Sequence, residues 1–248
     1  MKRLTLLVPI SLSLAFMSGS AGIAQSPEEA ALVQARRARD LADVKALRAA
    51  IESGRNQVSQ TRSFENYLRL ALLEAWTCEA AHGLVDKQLL KEAAKAGVDA
   101  AEQAVKLNPN SSEAHRLLGD LLGELIPHVF AGGMRYGPRS TKEIEKAIEL
   151  DPRNANAFVA RATNYFFTPG MFGGSKQKAV EMLEKAIELD RLSDAAVTAH
   201  IWLALVYADV GQWDNAQREI DEARKLKPDR VFGKFVYSRI LSHKGKSN

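Results

Sequence analysis

The chain has 248 residues, of which 46% are hydrophobic and 26% charged, so it has the composition of a soluble globular protein with a sizeable core. Its formal net charge of +4 at pH 7 is small, and no stacking aromatic residues are interleaved with the basic ones, so we expect no nucleic-acid partner. The single cysteine, Cys78, cannot form an internal disulfide, and we expect it to be a buried structural residue.

Residues 1–24 have the pattern of a secretory signal peptide. Two basic residues precede an apolar run from Leu4 to Met17, and small residues follow up to Ala24. The run is too short to span a bilayer comfortably, and its small-residue end predicts cleavage after Ala24. The alternative is an uncleaved anchor. We therefore expect a mature chain that starts at Gln25, is periplasmic or secreted, and has no membrane span.

Residues 25–62 predict one helix followed by a linker. Ser26 is a typical helix cap, and Pro27 fits the first turn, so a helix should run from there to about Ser53. The polar stretch from Gly54 to Arg62 is typical of a linker. The helix is either a cap on the elements that follow, which we favour, or a docking helix for a partner.

The stretch from His200 to Pro228 predicts a pair of amphipathic helices joined by a turn at Gly211. Its spacing resembles the 34-residue tetratricopeptide repeat, or TPR. The matching positions are His200, Leu203, Ala204, Tyr207, Ala216, Ile220, Ala223 and Pro228.

The same pattern recurs three more times from Phe64, and the sequence KAIELD occurs twice, as expected of duplicated repeats. A last helix, from Asp229 to about His243, is expected to cover the end of the array. The resemblance implies an all-α fold: an α-solenoid of about four TPR hairpins with flanking capping helices. It would occupy residues 63–243, ahead of a basic tail at 244–248.

Two of the loops between paired helices are long, at residues 126–138 and near 168–175. Both contain Gly-Met followed by an aromatic residue, and we expect their glycines to serve turns with positive φ. The helix after the first loop should start at Ser140. The loops should leave the same edge of the solenoid, where their Met and aromatic residues, Tyr136 and Phe172 among them, could pack together. The glycines concerned are Gly132, Gly133, Gly137, Gly170, Gly173 and Gly174.

Residues from Arg224 to Lys246 form a basic run with few acids. We favour a solvated helix face, and the alternative is contact with an anionic membrane or an acidic partner. Catalysis has no support in the sequence, because the five histidines are widely spaced and neither HExxH nor GxxxxGK[ST] occurs. His115 and His200 occupy the same repeat position, so we expect them to be packing residues. We expect no catalytic residue, no metal site and no cofactor.

The resemblance implies that the first helices of the repeats line a concave wall. Counted from the repeat positions, the wall is more apolar than a solvated face should be, which is typical of a binding groove. The same residues could instead pack on the N-terminal helix or on each other. They are Leu68, Leu72, Trp76, Arg116, Asp120, Glu124, Val159, Thr163, Phe166, Phe167, Ile201 and Leu205.

The function most consistent with this pattern is a periplasmic scaffold that binds a protein or peptide partner in its concave groove. A second resemblance covers one and a half repeats. The Gly-Gly loop followed by KAVEMLEKAIELD is similar to the T component of TRAP transport systems. It implies the alternative function, a periplasmic carrier of a small apolar ligand.

Overall fold

A computed structural model describes residues 26–244, and the regular structure of that part of the chain is entirely helical. The predicted signal peptide and the last four residues lie outside the described part. The helices are α1 (Pro27–Asp40), α2 (Val44–Gln60), α3 (Phe64–Leu84), α4 (Lys87–Leu107), α5 (Ser112–Leu125), α6 (Gly132–Leu150), α7 (Ala155–Phe167), α8 (Lys176–Leu189), α9 (Asp194–Asp209), α10 (Trp213–Leu226) and α11 (Val231–Lys244).

Four helix hairpins form the body of the molecule: α3 with α4, α5 with α6, α7 with α8, and α9 with α10. The starts of most of these helices are fixed by short polar side chains that accept a hydrogen bond from the first turn. Ser111, Asn154 and Ser193 do so at α5, α7 and α9. The all-α solenoid with about four repeats is therefore confirmed.

Small residues at the repeat positions allow the two helices of a hairpin to approach closely. Ala204 of α9 and Ala216 of α10 are fully buried. At Gly119 of α5, an added Cβ would lie 2.6 Å from Cγ1 of Ile144 in α6. The glycine is needed there because no side chain fits between the helices.

The predicted linker at residues 54–62 is wrong, because α2 continues to Gln60. The N-terminal segment is a hairpin of two helices, with a turn at Ala42 in which φ is +52° and with Asp43 capping α2. Gly54 does not break α2. It is buried, and it lies against Leu70 and Leu73 of α3.

The first long loop is shorter than predicted, because α6 begins at Gly132 and not at Ser140, with Pro138 inside the helix. Of the six loop glycines only Gly173 has positive φ, and Ala131 takes that conformation in the first loop. The predicted aromatic contact between the loops is also wrong. Tyr136 packs against the core formed by α1 to α5, whereas Phe172 is exposed.

The solenoid closes on itself. The inner helices α3, α5, α7 and α9 pack side by side, and α11 contacts both α9 and α3. At Gly83 of α3, an added Cβ would lie 3.0 Å from the backbone nitrogen of Phe232, so the start of α11 is seated directly on α3. The expected groove is consequently a cavity with an open mouth, bounded by helices from both ends of the chain.

Candidate functional site: a closed central cavity

The inner helices enclose a cavity of about 240 Å³. Residues of α3, α5, α7 and α9 line it, together with Arg36 and Arg39 of α1 and Phe232 of α11. The first helices of the repeats thus face inward, as the repeat pattern predicted, but helices from both ends of the chain complete the lining.

Seven of the twelve predicted groove residues line this cavity. They are Leu72, Trp76, Arg116, Asp120, Glu124, Val159 and Thr163.

The remaining five predicted residues lie elsewhere. Leu68 packs against the core of the N-terminal half, and Phe166 and Leu205 pack against that of the C-terminal half. Phe167 is largely exposed, with its ring 5.7 Å from that of Trp202. Ile201 is fully buried beneath Gly233 of α11, because the closing helix covers that face of α9.

Apolar and polar side chains share the lining about equally, and most of the polar ones are charged. Its carboxylates outnumber its arginines by five to three. The carboxylates are Glu79, Glu113, Asp120, Glu124 and Asp194, and the arginines are Arg36, Arg39 and Arg116.

Two carboxylates one helical turn apart, Asp120 and Glu124, form the acidic side of the cavity. The pKa of Asp120 is raised to about 6, because burial and the nearby Glu124 carboxylate together outweigh the opposing effect of Arg116. Arg116 lies 3.5 Å from Asp120 but makes its shorter ion pair, at 2.6 Å, with Glu113. Asp120 is therefore only weakly neutralised.

His82 stands beside these carboxylates, with Nε2 2.9 Å from Oε2 of Glu124. Burial alone would lower its pKa, but the negative charge of Glu124 outweighs burial and raises the pKa of His82. The His82 ring also contacts Trp202 edge-on and Phe232 at a tilt. Aromatic rings thus face carboxylates in this part of the cavity.

On the other side of the cavity, buried ion pairs join helices from the two ends of the chain. Arg230, just before α11, makes a two-fold contact of 2.6 Å with the Glu79 carboxylate. Arg39 of α1 binds Asp194 at the start of α9 and also Asp40. Burial raises the pKa of Glu79, but Arg230 and Arg39 outweigh it and hold that pKa below its ordinary value.

Trp76 is covered by the N-terminal helix, which is the alternative that the sequence left open for the groove residues. The guanidinium carbons of Arg36 and Arg39 lie 5.7 and 5.5 Å from the centre of a Trp76 ring. Trp76 therefore reaches the cavity while belonging to the core.

Sequence reasoning missed several cavity residues because their placement depends on the closure. Glu79 and His82 lie on α3 outside the counted repeat positions, and Phe232 lies on the predicted cap. Trp202 faces the cavity next to the predicted Ile201. These residues could have been found only by knowing which helices meet where the solenoid closes.

The histidines at equivalent repeat positions are structural, as predicted. His115 Nδ1 lies 2.6 Å from Glu143, and His200 Nδ1 lies 2.8 Å from Glu219, each on the second helix of its own hairpin. Cys78 is buried, and burial raises the pKa of its thiol. Residues 26–244 contain no group of three or more His, Cys, Asp or Glu side chains arranged to hold a metal ion.

The basic run near the C-terminus is largely neutralised where it is described. Arg230 is 1% exposed within the closing cluster, which contradicts a wholly solvated face. Arg224 lies over the ring of Tyr237, and Lys227 approaches Asp40 at 3.7 Å. Among the described helices none is long and apolar enough to cross a membrane.

Comparison with known proteins supports the fold. No protein-family model matches the sequence, and no curated protein is significantly similar to it. The structure of TTC0263, a thermophilic TPR protein of Thermus thermophilus, superposes with a TM-score of 0.63 and 17% identity, over 85% of this chain and 98% of that chain. The chain accordingly has the helical-repeat fold of TPR proteins.

Two further TPR-like structures align less well. MamA aligns with a TM-score of 0.42 and 18% identity, over 76% of this chain and 93% of that chain. YrrB, described as a TPR protein with an unusual peptide-binding site, aligns with a TM-score of 0.41 and 16% identity, over 84% of this chain and 91% of that chain.

Proposed function

We propose that the protein is an exported, non-catalytic interaction scaffold that receives a positively charged side chain of a protein or peptide partner in its central cavity. One observation carries this proposal. The cavity has more carboxylates than arginines, and its lining combines the weakly neutralised Asp120 with the aromatic rings of Trp202 and Phe232. A lysine or arginine placed there would gain ionic and cation–π interactions in a site partly shielded from water.

The size of the cavity limits what can enter it. Its volume of about 240 Å³ is below the roughly 300–1,000 Å³ of typical small-molecule pockets. An α-helix, which is about 10 Å across, does not fit while the solenoid is closed. The partner would therefore lie as an extended segment across the mouth and insert one or two side chains.

The test uses a short lysine-containing peptide and the same peptide with norleucine in place of lysine. Asp120→Asn should weaken binding of the lysine peptide by about tenfold or more, because a desolvated charge pair is lost. It should leave the melting temperature unchanged or higher, because the buried carboxylate no longer has to ionise. Binding is measured by fluorescence anisotropy and stability by calorimetry.

Glu149→Gln on the outer surface of α6 is the matched control, since Glu149 is well exposed and pairs only locally with Lys146. If this variant weakened binding as much as Asp120→Asn, or if the norleucine peptide bound equally well, the proposal for the cavity would be wrong. Pull-down from the periplasmic or secreted fraction then identifies the natural partner.

A small-ligand carrier is the second candidate, and the enclosure of the cavity by α1 and α11 favours it. Native mass spectrometry of the protein purified from its host would then show a bound molecule, which Trp202→Ala would release.

Export itself depends on residues 1–24. Amino-terminal sequencing of the native protein should find Gln25 first, and an intact Met1 would contradict export with cleavage.

A further inference from the structure

Two loops on one edge of the molecule carry unusually exposed apolar side chains. In the loop between α5 and α6 and the first turn of α6, Phe130 is 100% and Met134 85% exposed. In the loop between α7 and α8, Met171 is 84% and Phe172 71% exposed. Their grouping in two neighbouring loops, and not the exposure of any one of them, is what sets these side chains apart. We call residues 129–136 and 168–178 together the loop edge.

The two loops are neighbours because α5 and α7 run in parallel. At the starts of these helices, Asn154 donates hydrogen bonds to Ser112 and Glu113. Their C-terminal ends, at Leu125 and Phe167, consequently open toward the same edge. The edge continues to the end of α9, where Asp209 forms an ion pair with Lys176.

The same part of the chain is basic. Residues 125–142 and 162–180 contain five lysines and arginines and no aspartate or glutamate. Arg139 and Lys176 are paired with Glu102 and Asp209 from neighbouring elements. Arg135 and Lys178 instead lie over the rings of Tyr136 and Tyr165, which leaves their charges unneutralised. The loop edge therefore combines projecting apolar tips with positive charge.

We infer that the loop edge binds the surface of an anionic lipid bilayer. Phe130, Met134, Met171 and Phe172 enter the interfacial layer, while Arg135 and Lys178 contact lipid phosphates. Apolar burial and attraction to anionic lipid are the two contributions that hold proteins at a membrane surface. This inference is independent of the cavity and of the ligand proposed for it.

The shape of the loop edge favours a bilayer over a protein partner. Protein interfaces centre on side chains that fill well-packed pockets. Here the apolar side chains project singly from protruding loops, and the side chain of Phe130 has no neighbour that reduces its exposure. A fluid bilayer interface accommodates such separate projections without a matching shape.

The test is binding of the full chain to vesicles of phosphatidylglycerol and phosphatidylcholine in equal amounts, compared with vesicles of phosphatidylcholine alone. Wild-type protein should prefer the anionic vesicles. Phe130→Ser with Phe172→Ser, and separately Arg135→Gln with Lys178→Gln, should each lower partitioning by roughly tenfold or more. Leu192→Ser is the control, because Leu192 is 82% exposed but lies between α8 and α9.

A second measurement separates the loop edge from the apolar N-terminal segment, which all variants share. Phe130→Trp places a fluorophore in the first loop, and brominated lipids should quench the added emission. The inference is overturned if the emission that Phe130→Trp adds is not quenched, or if the loop variants partition as the Leu192 control does. It is also overturned if the loop variants lose a soluble protein partner while their vesicle binding is unchanged.

Discussion

Glu74 is a carboxylate placed inside the helical packing, and its ionisation has a cost. Its side chain is 3% exposed between α2, α3 and α4, where Arg55 approaches it at 3.1 Å. Burial raises the pKa of Glu74 from 4.5 to about 7, although Arg55 opposes the shift. Between these pH values the folded chain keeps a proton that the unfolded chain releases, so stability should fall as pH rises through this window.

Glu74→Gln should remove this fall in stability with rising pH. Above about pH 7 the variant should be more stable than wild type by about 1–3 kcal/mol, because the ionisation cost of the buried carboxylate is gone. Urea unfolding at several pH values measures the effect. Glu65→Gln, at an exposed position of the same helix, should leave the pH profile unchanged. A profile of Glu74→Gln that matches wild type would contradict the assignment.

Two glycines of one hairpin give a matched test of the repeat packing. In Gly119→Ala the new Cβ would lie 2.6 Å from Ile144 and 2.9 Å from the carbonyl oxygen of Ser140, so overpacking should cost about 1–3 kcal/mol. Gly133 lies in the first turn of α6 with open space around it, so Gly133→Ala should be neutral or stabilise by up to about 1 kcal/mol. Thermal unfolding of both variants measures the difference. Equal melting temperatures would show that the close packing of α5 on α6 does not require glycine at position 119.

The sequence placed His115 and His200 correctly at equivalent repeat positions but did not indicate their partners. Glu143 and Glu219 lie 28 and 19 residues further along the chain, and most of the extra nine residues extend the start of α6. A repeat pattern specifies which positions are packed. It does not specify a polar contact to a helix of unusual length.

At the scale of the elements, the sequence predicted the four hairpins because small residues and caps recur at fixed spacing. It failed where local composition and tertiary packing disagree. Glycine and polar residues suggested a linker at 54–62, yet burial of Gly54 against α3 keeps α2 helical. Glycine likewise suggested a loop at 132–137, where the structure continues as helix up to and beyond Pro138.

The seating of α11 depends on Arg230, and Arg230→Met tests this. The substitution leaves Glu79 buried without its closest cation, so it should cost about 3 kcal/mol or more in urea unfolding. Lys234→Met, at an exposed position of α11, should change stability by less than about 0.5 kcal/mol. Adding Glu79→Gln to Arg230→Met should recover part of the loss, and no recovery would show that the carboxylate is not responsible.

At the scale of the whole molecule, the repeat register alone predicted seven of the cavity residues. The remainder follows from the closure of the solenoid, which brings together Arg39, Glu79, Asp194 and Arg230 from four separated segments. No local pattern encodes such a meeting, because it depends on the summed rotation between repeats. Residues predicted to line an open groove therefore line a cavity to which charged side chains from other segments also contribute.

The closure also joins two separate hydrophobic cores. One extends from α1 to α5 and contains Trp76, and the other extends from α7 to α11 with Trp213 packed against it. In an open repeat array, coupling between distant repeats passes only through neighbours. Here α11 of the second core packs directly against α3 of the first, which adds a second connection between the halves.

The two halves should therefore unfold together in the wild-type chain and separately when the closure is broken. Variants that retain only Trp76 or only Trp213 report on one core each, and their urea midpoints should coincide. Adding Arg230→Met should separate the two midpoints, because the direct contact between the halves is then weakened and coupling passes mainly through α5, α6 and α7. Adding Lys234→Met instead should leave them coincident. Midpoints that already differ without Arg230→Met, or that stay together with it, would show that the contact between α11 and α3 does not couple the halves.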